Sequence, residues 1–500
     1  MPRSQFIDPK EVLNSGAIRF EDIPINSYSK TPEEEGLLYS KGDMLRIYRD
    51  MRIIREFETM LGEIKTNSVY NGIHYFNPGP THLAIGEEAA SVGAAYFLDA
   101  SDFIFGSHRN HGDVIAKGLS AVEKLGDDEL SDIIEEYFSR EALKAVEKSN
   151  NDIRDTAIDL LLYGTLSEIF AKDTGFNRGL GGSMHVFFTP LGIYPNNAIV
   201  GGAAPMALGA AMYKRINKKK GIVVANIGDG ACGRGSVLEA MNMAAMDQVK
   251  KLWNDIDRPF GLPILFNIFD NFYGMGGQTV GETMGFSMPA RIGAGINPQQ
   301  LHSERINGND PFAVIDAVKR QKELLTSGEG PAMLDIVTYR TVGHSASDPF
   351  SYRTAEELEE WKKYDPIKNY REKLISCSFA FEYEFDKIDR ETVQRIERIC
   401  SLAVDESVSP RMDLKRHSDE ISRLMFSDEH TVSMDTSRIA DMLMADEENP
   451  RIRAISSKSR SAFDDLGVSV ESGKYVELRD ALFEAVYHKF KTDPTFIAYG

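Results

Sequence analysis

The sequence predicts an α/β protein: a parallel sheet with helices on both faces, extended by helical insertions. Three observations predict it. GIVVANIG at 221–228, LPILFNIF at 262–269 and PAMLDIVTY at 331–339 are predominantly apolar runs without alternation, the pattern of strands buried on both faces. Long crossovers separate them, as parallel neighbours require. Glycine-rich turns, RGLGGSMH at 178–185 and Gly228-Asp229-Gly230, punctuate the chain between the periodic segments.

Residues 1–40 are polar and turn-rich and read as an N-terminal arm packed on something larger. Residues 41–445 read as the main domain. It opens with a helix over 41–65, where Met44, Leu45, Tyr48, Met51, Ile54, Phe57 and Leu61 recur at helical spacing. Residues 83–98 are rich in Ala and Gly, which suits a closely packed helix. Residues 119–165 carry many charges and no strand signal, and read as a helical insertion. NAIVGGAAPMALGAAMY at 197–213 is a small-residue loop running into another close-packed helix, and the turn after 228 leads into a helix reaching about 250. From 352 to about 445 the chain is helical and charged, with Thr354 capping TAEELEEWKKY. Residues 446–475 mix Pro, Ser, Gly and both charges without a period, and read as a linker. Residues 476–500 begin an amphipathic helix and a strand, and the sequence stops in mid-strand. An apolar β edge is not left unpaired at a domain end, so the 500 residues read as the front part of a longer polypeptide.

The length suggests about three folding units. A balance of 42% hydrophobic and 27% charged residues places the chain among globular proteins rather than disordered ones. Fifty-seven basic against seventy-six acidic residues give a net charge of −19, which argues against a nucleic-acid or anionic-membrane surface. Cys232, Cys377 and Cys400 are too few for a disulfide scaffold or structural zinc cluster, and point to a reducing cytoplasm. The opening MPRSQFIDPKEV has no apolar segment and reads as no secretory leader. Apolar runs stop far short of the ~20 residues a membrane span needs.

The chemistry concentrates at Asp229 and at Asn271, 42 residues further on in FDNFYGMGG. Both follow buried strands, and ligands of open α/β sheets bind at the carboxyl ends of strands. Glycines beside Asp229 permit a sharp turn and a close approach of backbone N–H groups to a phosphate. A carboxylate, an amide oxygen and a backbone carbonyl are hard ligands suited to Mg2+, which commonly bridges to phosphates.

GDGACGRGSVLEAMNMAAM followed by LPILFNIFDNFYGMGGQT resembles the thiamine-diphosphate motif of a known family. That family is the alpha subunit of the thiamine-diphosphate-dependent decarboxylating component of 2-oxo-acid dehydrogenase complexes, of pyruvate, branched-chain and acetoin types. Further segments agree in order: YRDMRIIREFE, THLAIGEEAASVG, HRNHGDVIAKG, GLGGSMHVF with NAIVGGAAPMALGAA, and TYRTVGHSASDPFSYRTAEELEEWKKYDPI. The resemblance spans about residues 40–370 and implies the thiamine-diphosphate-binding fold.

It also implies roles. Asp229, Asn271 and the Tyr273 carbonyl would hold Mg2+; Gly230 and Ala231 would line the diphosphate; and Arg109 would bind the terminal phosphate. His344 would stand beside the thiazolium and diphosphate, Val200 would offer its backbone to the aminopyrimidine, Met275 would wedge under the bent cofactor, and His82 would face the substrate carboxylate. His344 and His82 are thus the catalytic candidates. The cofactor is the electron sink for decarboxylation of a 2-oxo acid, pyruvate by default, and the acyl group passes to the lipoyl group of a partner acyltransferase. A Glu that activates the cofactor comes from a beta-type half, and the tail YVELRDALFEAVYHKFKTDPTFIAYG resembles the start of that half, so an alpha–beta fusion assembling as a homo-oligomer is expected.

Three departures stand out. His108 replaces the family's Tyr before Arg109, Ala198 replaces a Gly, and Glu87 replaces a Gln; His108 and Ala198 fall on the cofactor pocket. KKLWNDIDRPFG at 250–261 lengthens the spacing between the two motif halves. Plainer readings fit other residues: His185, His111 and His74 as structural hydrogen-bonders, Ser345 and Ser347 as loop residues, and Cys232 as a small packing residue. Two rival functions remain. One is a non-oxidative enzyme of the same cofactor, acetoin-cleaving or transketolase-like. The other is a catalytically silent assembly subunit.

Overall fold

The computed structural model describes residues 6–137, 143, 146, 152–250, 260–297, 301–348, 351–421, 445–458, 462–463, 468–470, 477–493 and 496. They divide into a large unit within 6–424 and a small unit from 425 onward.

Five parallel strands form the sheet of the large unit: β1 (Phe103–Phe105), β2 (Val223–Gly228), β3 (Ile264–Asp270), β4 (His302–Asn307) and β5 (Ala332–Val337). Their spatial order is β1-β2-β3-β5-β4. Successive side chains of a strand point to opposite faces, and here both faces are covered. Val224 and Leu265 enter one apolar core; Val223, Ala225, Ile227, Ile264, Phe266 and Ile268 enter a second on the opposite face. The three central strands are therefore mostly apolar, with Asn226, Asn267, Asp270 and Asp335 as their buried polar members, and these are the three legible in the sequence.

The flanking strands were not anticipated, for two different physical reasons. β1 is only three residues long. β4 reads HSERIN, with Glu304 and Arg305 buried. Arg305 pairs with two buried carboxylates, Asp335 of the adjacent β5 at 3.4 Å and Asp270 of β3, one strand further, at 3.3 Å, and Glu304 pairs with Arg320 at 2.8 Å. Ion pairing lets a polar segment occupy a buried strand position. Both outer edges are also covered. Arg305 N–H donates to Pro24 O and Asn26 N–H to Arg305 O, so the arm lies along β4. On the other side Ile104 N–H donates to Gly192 O and Tyr194 N–H to Ile104 O.

Helices fill both faces. α1 (Lys41–Asn67) begins at Ser40, whose hydroxyl accepts from Asp43 N–H while Asp43 accepts from Ser40 N–H, a capping box worth about 1 kcal/mol. Its buried stripe contains Met44, Tyr48, Met51, Ile54, Phe57 and Leu61, as the periodicity indicates; Leu45 is only half-buried. α2 (Glu88–Ala95) is buried along its length and packs on α1. α3 (His111–Lys124), α4 (Asp127–Tyr137) and α5 (Ile153–Ile169) follow. The stretch 119–165 is thus helical where described, but its ends belong to α3 and α5, which are core helices. α5 is buried from Thr156 to Ile169 because its outer face lies under α11 (Glu382–Val404).

On the other face, α6 (Ala203–Ile216) presses Ala203, Ala204, Ala207 and Ala211 toward the sheet, and α7 (Gly235–Ala244) packs beside it. α7 ends at Ala244 and a separate short helix covers Asp247–Lys250. α8 (Pro311–Thr326) packs on α2. α9 (Ala355–Lys362), capped by Thr354, and α10 (Pro366–Ser376) lead into α11. Helix ends at Val404; residues 405–421 run mainly without helix, which corrects the expectation of a helical segment to about 445, and 422–444 fall outside the described residues. Residues 251–259 of the lengthened spacing fall outside them too.

The small unit has its own organisation. A helix over Pro450–Ser456, with Asn449 accepting from Arg451 N–H, and a short antiparallel pairing of 462–463 with 469–470 occupy the stretch read as a linker. α12 (Leu478–Thr492) follows as expected. Its buried Asp480 pairs with Arg451 at 2.6 Å and Lys458 at 2.9 Å. Most of the expected terminal strand lies outside the described residues. No helix among the described residues is long and apolar enough to cross a membrane.

Candidate active site

β2 and β3 are adjacent and in register, Gly228 opposite Phe269. The residues that leave their carboxyl ends therefore emerge side by side. They open onto a cavity of about 470 Å³, a volume suited to a small-molecule cofactor. His82, His108, Arg109, Ala198, Val200, Asp229, Gly230, Ala231, Asn271, Tyr273, Met275 and His344 all line it. The structure thus brings together every site residue expected from the sequence.

Asp229, Gly230 and Ala231 form a single 3-10 turn after β2. Asp229 is 2% exposed; its Oδ1 accepts from Gly230 N–H at 2.9 Å and its Oδ2 from the Thr279 hydroxyl at 2.6 Å. Burial, and then the neighbouring Asp270, push its carboxyl well above the usual range. Asn271 donates its side-chain N–H to Glu87 Oε1 at 2.8 Å and accepts from Tyr273 N–H at 3.1 Å. Glu87 reaches this position because Gly86 adopts φ +102°, where a Cβ would lie 2.3 Å from the Tyr339 carbonyl oxygen. The Tyr273 hydroxyl is held at 2.8 Å by Glu357 at the start of α9.

The cavity is also lined by three imidazoles and two guanidinium groups. The His82 ring lies 4.7 Å from His108 and 5.3 Å from His344, centre to centre, and His108 lies 5.3 Å from His344. Arg109 donates to the carbonyls of Leu83 and His344, both at 2.5 Å, tying two loops together. Its fork is directed at backbone oxygens. A second Arg109 contact, 3.4 Å to His344 Nδ1, makes that nitrogen the acceptor, since arginine only donates; the His344 proton is then assigned to Nε2. Burial and the nearby Arg109 charge depress all three histidines: His82 to about 3, His108 to about 2 and His344 to about 4. All are neutral near pH 7. Burial, with Arg340 beside it, lowers Arg109 to about 9.

Val200 and Met275 sit at the mouth, 53% and 82% exposed, with Ile199 at 73%, and Ala198 is exposed beside them. Sequence reasoning gave no role to three other lining residues. Glu87 is buried, and burial raises its carboxyl against the pull of Arg109 and Arg340. Arg340 is buried four residues before His344. Asp113 is pushed up to about 7 by burial and accepts from Ser91 Oγ at 3.0 Å. Each lies inside a motif segment already quoted, so position within the motif was the available signal. Outside the cavity, His111 is buried with Nε2 2.9 Å from Ser183 Oγ, and His185 Nδ1 lies 3.2 Å from Asn196 O, both structural as read; His74 is instead exposed. Cys232 is buried packing, also as read.

Comparison with known proteins decides the family. The dehydrogenase E1 component family matches residues 53–128 and 141–410. This chain belongs to that family. The gap in the match, 129–140, falls inside the stretch read as an insertion. The E1 chain is 30% identical over 373 residues to the probable pyruvate dehydrogenase E1 component subunit alpha, mitochondrial, of Caenorhabditis elegans, covering 74% of this chain and 77% of that one. It is 29% identical over 354 residues to the pyruvate dehydrogenase E1 component subunit alpha of Rhizobium meliloti (strain 1021), covering 71% and 83%. It is also 29% identical over 399 residues to the mitochondrial E1 alpha subunit of Saccharomyces cerevisiae, covering 79% of each. The chain is therefore an alpha-type subunit of a 2-oxo-acid dehydrogenase E1 component.

Proposed function

We propose that this E1 chain serves the thiamine-diphosphate- and Mg2+-dependent oxidative decarboxylation of a 2-oxo acid, pyruvate by default, with acyl transfer to a lipoyl group of a partner acyltransferase. The observation that carries the reading is the cavity shared by Asp229 and Asn271, at adjacent strand ends, with Arg109 and His344. Oxygen ligands together with cationic and N–H donors in one cavity suit a metal-bound diphosphate. The residues fit such a group: the Asp229 carboxyl, buried and in no direct ion pair among the described residues, sits where a divalent ion would offset its desolvation, and the buried Arg340 Nη2 has no hydrogen-bond partner.

In this reading Asp229, the Asn271 amide oxygen and the Tyr273 carbonyl hold Mg2+. Gly230 and Ala231 offer N–H groups to the diphosphate, and Arg109 supplies charge at its end. When bound, thiamine diphosphate supplies the electron sink for decarboxylation. The chain's own groups do the rest. His344 presents its Nε2–H toward developing negative charge, with Arg109 holding Nδ1. Neutral His82 faces the substrate carboxylate, His108 lines the phosphate end, and Ala198, Val200 and Met275 shape the side toward the aminopyrimidine. The exposed apolar mouth at Ile199, Val200 and Met275 supports a beta-type half closing over it, in a homo-oligomer. Three free thiols support a cytoplasmic location.

The test is a titration of the chain, together with its beta-type half, with thiamine diphosphate and Mg2+. Saturable, Mg2+-dependent binding is expected, and its absence rejects the reading. A product assay with and without a lipoyl acceptor separates it from a non-oxidative enzyme, which would turn over without the acceptor.

A further inference from the structure

The three imidazoles of the cavity come from separate loops, around residues 82, 108 and 344. One nitrogen from each lies within 4.8 Å of the others. Tetrahedral zinc bound to imidazoles at 2.0–2.1 Å sets its ligand nitrogens about 3.4 Å apart, so small ring rotations close the remaining gap. Two rings of the trio each hold a buried nitrogen with no hydrogen-bond partner, His82 Nδ1 and His108 Nε2. Buried polar atoms ordinarily find one, and each exception calls for an explanation. The rings are neutral, the form that ligates.

We propose that His82, His108 and His344 form a second metal site, for a borderline divalent ion of the zinc class with an anion as fourth ligand. It goes beyond the function above: the ion, the ligand chemistry and the ligating residues all differ from those proposed for Mg2+. Imidazole selects zinc, copper, nickel or cobalt over Mg2+. The anionic fourth ligand follows from the charges that face the trio. Arg109 and Arg340 oppose a bare dication, and Asp348 is the carboxylate on the His344 loop. A neutral imidazole has one lone pair, and that of His344 is engaged by Arg109 at 3.4 Å. Metal binding at His344 displaces this contact and frees the Arg109 N–H for an anion on the ion's open position. His108 completes the trio, and it is the residue that stands where the resembling family carries Tyr. On the proposed function, such an ion and a bound diphosphate compete for the same histidines.

Co2+ is the probe, because its d–d absorption at roughly 500–650 nm reports nitrogen ligation at low coordination number. The full 500-residue chain, without thiamine cofactor, is titrated with Co2+ alone and with inorganic phosphate present. One equivalent should bind with intense visible bands, and phosphate should tighten binding at least ~10-fold. His108→Tyr should abolish the bands, with circular dichroism verifying the fold; His82→Asn should repeat the loss, while His185→Gln, outside the trio, keeps the bands. Absence of saturable bands in the unaltered chain, or bands that persist in folded His108→Tyr and His82→Asn, overturns the site. Unchanged affinity with phosphate overturns the anionic fourth ligand. Because the readout needs no thiamine diphosphate, failure of the proposed function leaves this result legible by itself.

Discussion

Asn271 donates its side-chain N–H to Glu87 at 2.8 Å inside the cavity wall, which fixes which end of the amide is nitrogen and which is oxygen. The oxygen is turned toward Tyr273 N–H and is the end available as a hard ligand. Glu87→Ala removes the acceptor from a buried N–H, a loss of about 1–3 kcal/mol. It also frees the amide to flip, so the Mg2+ requirement for cofactor binding should rise several-fold. Glu87→Gln keeps an acceptor and should fall between. Denaturant unfolding and Mg2+ titration measure the two effects, and an unchanged Mg2+ requirement in Glu87→Ala contradicts the pinning.

Asp229→Asn separates binding from folding. The substitution removes a buried charge and keeps a hydrogen-bonding side chain of similar shape. The unfolding midpoint should hold or increase, while Mg2+-dependent cofactor binding weakens by roughly 100-fold or more. Calorimetric titration beside thermal unfolding reads both; a parallel fall in stability would make Asp229 a structural residue.

Asp113 gives a pH signature. Its carboxyl is raised from 3.8 to about 7 by burial, so the folded chain holds the proton more tightly than the unfolded chain. The stability it contributes is complete below pH 3.8 and is lost as pH rises to about 7. Asp113→Asn, always neutral, should therefore raise the melting temperature at pH 8 and leave it nearly unchanged at pH 4. Equal shifts at both values would show that Asp113 does not titrate in this range.

The cavity histidines act with the opposite sign. His82, depressed from 6.5 to about 3, resists protonation in the fold, so stability is complete above pH 6.5 and is lost as pH falls toward 3. His82→Asn should flatten the acid limb of the melting-temperature profile between pH 6.5 and 4.

Arg109→Lys tests the tie between loops. A single ammonium cannot reproduce the fork that reaches Leu83 O and His344 O together. Stability should drop by about 1–3 kcal/mol, proteolytic cleavage near 341–348 should speed up, and cofactor affinity should fall at least ~10-fold. Unaltered cleavage would show that the loops are held by other contacts.

The parts legible in sequence share one property: their residue types answer to local demands. β2, β3 and β5 are mostly apolar because both faces are buried, and Asp229 and Asn271 mark strand ends through their glycines and apolar runs. β4 was hidden because Glu304 and Arg305 are matched by Arg320, Asp270 and Asp335, residues distant in sequence. Glu87, Arg340 and Asp113 escaped for a related reason, since burial beside other charged groups is a tertiary fact. Within 119–165 the charge pattern shows helix but not burial: it does not reveal that α5 is buried from Thr156 to Ile169.

The cover over Ile104 and Arg305 has a consequence for growth of the fold. Residues 24–26 occupy the outer ladder of β4 and residues 192–194 that of β1, so neither flank can recruit a strand from another molecule. Lateral ribbons of these chains are blocked from both sides, and loss of the first thirty residues would unblock one of them.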